Sequence, residues 1–149
     1  MGIYDEPVMA GFDRAWEQNP QKTAVIFLGE KYSYDRLRNL IKKFATALSE
    51  LGVRDNDKVM LYIPNCPQFL IGYFGAQMIG AIPVPVSPIY TPHEIKYLIN
   101  DSGAETVLCQ DTNVRYIKEV LPATCLKRTI ITNLVDLLPA YKKNDRIPV

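Results

Sequence analysis

The sequence predicts an α/β fold: a doubly wound, mostly parallel sheet with helices on both faces. Three observations carry that prediction. First, residues 59–93 form a run of 35 without a single Asp, Glu, Lys or Arg, in a chain that is 22% charged overall. Second, Pro64, Asn65, Pro67, Gly80, Pro83 and Pro85 punctuate this run. A bilayer span needs about 20 apolar residues of unbroken helix, and these residues break it too often. A strand over 59–63, a helix over 67–79 and a strand over 82–86 fit better. An uncharged strand–helix–strand unit is covered on both faces of its sheet. Its helix is apolar almost all round, so something packs on the outer side too. Third, apolar strands recur at intervals of roughly 20–35 residues with helices between them, the pattern of right-handed crossovers in a parallel sheet.

The elements follow in order. Residues 7–18 read as an opening helix with Met9, Phe12 and Trp16 on one side and Pro20 beyond its end. Residues 23–28 (TAVIFL) form an apolar strand, and Gly29, Glu30 and Lys31 turn the chain into Tyr32. Ser33 caps the next helix. There Leu37, Leu40, Ile41, Phe44, Ala45, Leu48 and Leu51 recur at spacings of three and four, and Gly52 stops the helix. After the uncharged unit, Thr91, Pro92 and Glu94 supply a cap, a proline at the first helical position and a glutamate at the third, which together make a capping box. That helix runs to Ser102 and Gly103. A strand over 106–109, a helix over 114–121, a strand over 129–132 and an apolar turn over 134–138 follow, with a loop or tail over 139–149.

Length suits a single α/β domain with a full core. The formal net charge is +1, and no basic cluster is longer than Lys42-Lys43 or Lys142-Lys143. Nucleic-acid binding has no electrostatic footprint here. Cys66, Cys109 and Cys125 are odd in number and form no CxxC, and Cys109 lies in an apolar run, so a buried thiol is read in preference to any reactive or metal role for the three. The opening MGIYDEPVMAG carries acids and no apolar stretch, unlike a secretory signal. No transmembrane segment is expected, and a reducing cytoplasm is the expected location.

Catalytic motifs are missing. No glycine forms GxGxxG or GxxxxGK[ST], the turns that let backbone amides approach phosphate. Gly72 and Gly75 lie one turn apart within a helix and read as close packing. The turn PNCP caps a helix without cradling phosphate. His93 follows Pro92 in a first helical turn and reads as an exposed polar residue. Tyr73, Tyr90 and Tyr97 could line a pocket, although aromatics beside strands and helices are usually core or rim.

NPQKTAVIFLGEKYSYDRL, followed by LGVRDNDKV, YIPNCPQF, GAIPVPVSP and, past Glu94, INDSGAETV, resembles the N-terminal part of the AMP-forming acyl-CoA synthetases. The likeness covers residues 19–132. Two structural positions depart from it. Arg36 stands where the family usually has the glutamate that closes the Ser33 capping box, and Asn56 stands where it usually has glycine. The resemblance implies an ATP-dependent ligase that converts a carboxylate to an acyl-adenylate and pyrophosphate, then to acyl-CoA and AMP. It implies ATP, Mg2+ and coenzyme A for the whole enzyme, with none held by this segment. The family's glycine-rich phosphate loop, adenylate pocket and lid with its catalytic lysine have no counterpart here, so no catalytic and no metal residue is assigned.

On the same resemblance, Ser87, Pro88, Ile89, Tyr90 and Thr91 would lie near the coenzyme A nucleotide; read without it, they are a proline-stiffened connection. The implied acid is a medium- or long-chain fatty acid, with aryl and amino acids left open. The implied partner is the rest of a longer ligase chain. Apolar surface left uncovered by that chain would favour a homodimer. Two other readings stand beside this one. A self-standing, non-catalytic α/β binding or interaction module would share the architecture. A nucleotide-binding domain would need the glycine-rich turn that is lacking.

Overall fold

A computed structural model describes residues 6–140. The elements are α1 (Val8–Gln18), β1 (Thr23–Phe27), β2 (Glu30–Ser33), α2 (Tyr34–Glu50), β3 (Lys58–Tyr62), α3 (Pro67–Met78), β4 (Ile82–Pro85), α4 (Pro92–Ser102), β5 (Thr106–Gln110), α5 (Val114–Val120) and β6 (Arg128–Thr132). Most of the expected tail, 141–149, lies outside the described residues.

Four strands form a wholly parallel sheet in the order β4-β3-β5-β6. The chain steps one way from β3 to β4, then back across β3 to β5 and β6. That reversal places the switch point, where such sheets open a crevice, between the carboxyl ends of β3 and β5.

The side-chain period of two sorts the core into layers. Val59, Leu61 and Leu108 point to one face and, with Ile63 just past β3, pack against Leu48 and Ala76 from α2 and α3. Met60, Tyr62, Val107 and Cys109 point to the other and meet Ile95, Ile99, Ile117 and Val120 from α4 and α5. Helices thus cover both faces, which is why β3 needs no polar side. A third cluster, Leu37, Ile41 and Ile71, joins α2 to the outer side of α3, with Met9 and Phe12 of α1 against it. The outer partner that the apolar helix demanded is therefore α2. Each fully buried Leu or Ile contributes about 1.5–3 kcal/mol relative to leaving it in water.

Both α3 glycines act in packing. A methyl at Gly72 would lie 2.8 Å from Leu108 Cδ2 and 3.0 Å from Leu61 Cδ2, so the helix rests directly on the sheet. A methyl at Gly75 would lie 2.9 Å from Phe44 Cδ1, facing α2.

The first strand departs from expectation in its end and its turn. β1 and β2 do not join the parallel sheet; they form a separate antiparallel hairpin. Its turn is Leu28-Gly29 (φ 49° and 71°), so Leu28 leaves the strand and Glu30 and Lys31 belong to β2. Two consecutive left-handed residues match the twist of a two-residue hairpin, although leucine is an unusual occupant of the first position.

The two sheet edges differ. Along β4 the amides of Ile82 and Val86 donate inward to Asp57 and Leu61 carbonyls at 2.8 and 3.1 Å. Pro83 and Pro85 alternate with these positions and offer no N–H outward, which closes that edge to further pairing. β6 has no such block, and Ile131 on it is 53% exposed. Its register is held by Arg128, whose Nε donates to the Leu51 carbonyl at 2.7 Å and Nη2 to that of Gly52 at 3.2 Å. The edge strand is thereby tied to the end of α2.

Candidate functional site

The carboxyl rim of the parallel sheet is the candidate site, because every post-strand loop gathers there. Tyr62, the last residue of β3, is fully buried, and its hydroxyl donates to the Tyr90 carbonyl at 2.5 Å. Burial, reinforced by Tyr116, Cys109 and Glu94, pushes its pKa up to about 12, so it stays a neutral donor. Asn113, just after β5, donates through Nδ2 to the Pro88 carbonyl at 3.0 Å. Asn133, just after β6, donates through Nδ2 to Asp111 at 2.6 Å and accepts from Gln68 Nε2 of α3 on its carbonyl at 2.8 Å. These side chains tie together the loops after all four strands. A neutral bond of this kind contributes about 1 kcal/mol, and those to the Asp111 carboxylate somewhat more.

Residues 87–91 are the loop most firmly defined by these ties. The Tyr90 amide donates to the Ser87 carbonyl at 3.2 Å, closing a turn. At its far end the expected capping box is complete: the Thr91 amide and hydroxyl both donate to Glu94 Oε2 at 2.8 Å, and the Glu94 amide donates back to the Thr91 hydroxyl. Those bonds from Thr91 hold the Glu94 carboxyl below the usual carboxylate range. With both ends fixed, Ile89 projects outward, 85% exposed.

Two shallow grooves flank this loop. One, about 680 Å³, is lined by Tyr90, His93, Glu94, Tyr97 and neighbours on the outside of α4. The other, about 340 Å³, lies between the loop after β3 and residues 85–88, and shares Asn65 and Phe69 with a smaller apolar hollow beside the hairpin. Tyr90, His93 and Tyr97 are therefore brought together. Tyr73 is not: it lies on α3 across the sheet, with its ring against Phe69 and Phe74.

Among the described residues, no three His, Cys, Asp or Glu side chains converge as a metal site requires. The amino end of α3 presents Cys66 and Pro67 where a phosphate cradle needs successive amides. Cys66, Cys109 and Cys125 are free. Burial pushes the Cys66 thiol up and that of Cys109 up to about 11, away from the thiolate a nucleophile needs. These two thiols are therefore not activated, and the loops of the rim are arranged to position a ligand. Sequence reading named the 87–91 loop but missed Tyr62, Asn113, Asn133 and Gln68. Their bonds span 22 to 65 residues, and the signal available was only their place at or just beyond strand ends or in a first helical turn.

The family described as AMP-binding enzyme matches residues 12–147. The long-chain-fatty-acid–CoA ligase of Bacillus subtilis (strain 168) is 31% identical over 130 residues, covering 87% of this chain and 23% of that protein. A crystal structure of a long-chain-fatty-acid–CoA ligase from Archaeoglobus fulgidus superposes with a TM-score of 0.76 at 27% identity, over 81% of this chain and 26% of the other. An anthranilate CoA ligase, solved with anthranoyl-AMP, shares the fold at a TM-score of 0.82 and 21% identity. Among the described residues no helix is long and apolar enough to cross a membrane. With its parallel sheet order, covered faces and family match in agreement, this chain belongs to the AMP-binding enzymes and corresponds to the N-terminal part of an acyl-CoA synthetase.

Proposed function

We propose that these residues are the scaffold segment of an ATP-dependent acyl-CoA ligase that activates a medium- or long-chain fatty acid. The observation that carries this is the 31% identity to a long-chain-fatty-acid–CoA ligase across 87% of the chain, while the chain spans 23% of that relative's length. In that reaction the carboxylate attacks the α-phosphate of ATP, giving acyl-AMP and pyrophosphate. The thiol of coenzyme A then displaces AMP. ATP, Mg2+ and coenzyme A belong to the whole enzyme. The residues described here fit neither the metal nor the triphosphate, so no chemical step is assigned to them. Their part is to mount the site: a sheet covered on both faces supports a rim whose loops are fixed by Tyr62, Asn113 and Asn133.

The loop 87–91 is the segment we assign to the neighbourhood of coenzyme A. Its two anchored ends and outward Ile89 support that placement. The three free cysteines suit a reducing compartment, and the cytoplasm is the location we assign. Exposed Ile26 and Ile131 support self-association of the isolated chain; light scattering is expected to detect dimers, and a strictly monomeric mass at high concentration contradicts this.

ATP–pyrophosphate exchange tests the assignment. The 149-residue chain alone is expected to give none with any fatty acid. Replacing the aligned segment of the Bacillus subtilis relative with this chain is expected to retain fatty-acid-dependent exchange. Robust exchange by the chain alone, or none in a chimera that unfolds cooperatively, overturns the proposal.

A further inference from the structure

Beyond β6 the chain makes a short strap, 133–138, whose internal bonds set its shape but not its place. The Asn133 amide and Thr132 hydroxyl donate to Asp136 at 2.7 and 3.1 Å, the Val135 amide donates to Asn133 Oδ1 at 3.0 Å, and the Leu138 amide donates to the Val135 carbonyl at 3.0 Å. Gln68 pins the beginning of the strap through the Asn133 carbonyl. Its end is pinned by two residues from far up the chain. The Tyr32 hydroxyl donates to the Leu137 carbonyl at 3.2 Å, and Arg36 Nη2 donates to the same oxygen at 3.3 Å.

Arg36 is well placed to do this. Its guanidinium lies 4.3 Å from the centre of the Tyr32 ring, and its Nη1 donates to Glu30 at 2.6 Å and to the Lys31 carbonyl at 3.2 Å. The planar fork therefore has the hairpin on one side and the strap on the other, a span that a lysine's point charge does not cover. Tyr32 is fully buried, so its ring gives the guanidinium a fixed platform. With the hydroxyl and the guanidinium on one carbonyl, Leu137 is held against the Leu37, Ile41 and Ile71 cluster, and Leu138 is buried behind it. This also gives Arg36 a role at the position where the family's usual glutamate would close the Ser33 cap. The Ser33 hydroxyl still accepts from the Arg36 amide, while the side chain reaches the strap instead.

We propose that Tyr32 and Arg36 form a clamp on the Leu137 carbonyl that fixes the direction in which the chain leaves the parallel sheet. The clamp stands on its own contacts. Its consequence, that it sets where the remainder of a ligase starts relative to the sheet, rests on the proposed function above. Both are positioning residues and neither touches a reacting group.

Amide hydrogen exchange of the 149-residue chain tests the clamp without reference to activity. Arg38 supplies the control: it lies on the same helix but binds Asp13 at 2.9 Å and stacks on Trp16 of α1. Arg36→Ala is expected to speed exchange at Asp136 and Leu138 about tenfold, the loss of one charged hydrogen bond, while α1 stays at its original rate. Tyr32→Phe should move the same strap amides. Arg38→Ala should speed α1 and leave the strap alone. Arg36→Lys should fail to restore strap protection. Strap exchange unchanged in Arg36→Ala and Tyr32→Phe overturns the proposal. So does uniform acceleration across the whole sheet in both, or full protection in Arg36→Lys.

Discussion

Alanine placed at the two α3 glycines should give unlike results, because the two positions differ only in what they face. Each substitution gains about 1 kcal/mol of helix propensity. At Gly72 the new methyl meets Leu108 and Leu61, both buried, at 2.8 and 3.0 Å. Neither leucine has room to withdraw, and overpacking of this kind costs about 1–3 kcal/mol. Gly72→Ala is therefore expected to be neutral to about 2 kcal/mol destabilising. At Gly75 the near atom is the edge of the half-buried Phe44 ring at 2.9 Å, and the backbone atoms of α2 lie at an ordinary 3.5 Å. The ring can turn aside, so Gly75→Ala is expected to be neutral to about 1 kcal/mol stabilising. Urea denaturation measures both, and an unchanged m-value establishes that stability rather than the surface exposed on unfolding has changed. The difference between the variants isolates packing from propensity. If Gly72→Ala proves more stable than Gly75→Ala, α3 does not rest on the sheet as described.

Three further outcomes are expected. Burial raises the folded pKa values of Tyr62 and Cys109 to about 12 and about 11, from ordinary values of 10.0 and 9.0. Their stabilising effect is complete below pH 9 and is lost as pH rises from there through 12, a fall of order 2–3 kcal/mol for each group; a flat stability profile from pH 9 to 12 contradicts their burial. Thr91→Ala removes the capping box and should cost about 1 kcal/mol by denaturation, with faster amide exchange in the first turn of α4; Thr91→Ser should recover most of it. Arg128→Ala leaves the end of α2 without its bonds from β6 and should cost about 1–3 kcal/mol in a denaturant melt; a cost no larger than for removing the exposed Lys127 ammonium group refutes the clasp.

Much of the fold was legible because it is local or periodic. The 35-residue run without charge identified β3 and α3 as covered on both sides, although β4 at its end is a sheet edge with Ile82 exposed, and Thr91, Pro92 and Glu94 announced α4 to the residue. The hairpin was misread at Leu28, because a leucine in left-handed backbone has no propensity signal. Nothing in the local pattern of TAVIF told a hairpin strand from a sheet strand. The site was legible in outline only. The loop 87–91 stands out by its prolines and its place after a buried strand. The ties that fix it do not, since Asn113 to Pro88 spans 25 residues and Gln68 to Asn133 spans 65. Such pairs depend on how the strands are ordered, and strand order is decided by tertiary packing.

Everything above depends on β3 and β5 being the interior of the sheet, and native-state hydrogen exchange measures this most directly. The amides of Val59, Met60, Leu61 and Tyr62, together with those of Val107, Leu108 and Cys109, should exchange only through global unfolding, with one shared opening free energy equal to that from denaturation. Exchange of β3 at the rate of the 87–91 loop would contradict the account, because a central strand open to water cannot be the scaffold of anything.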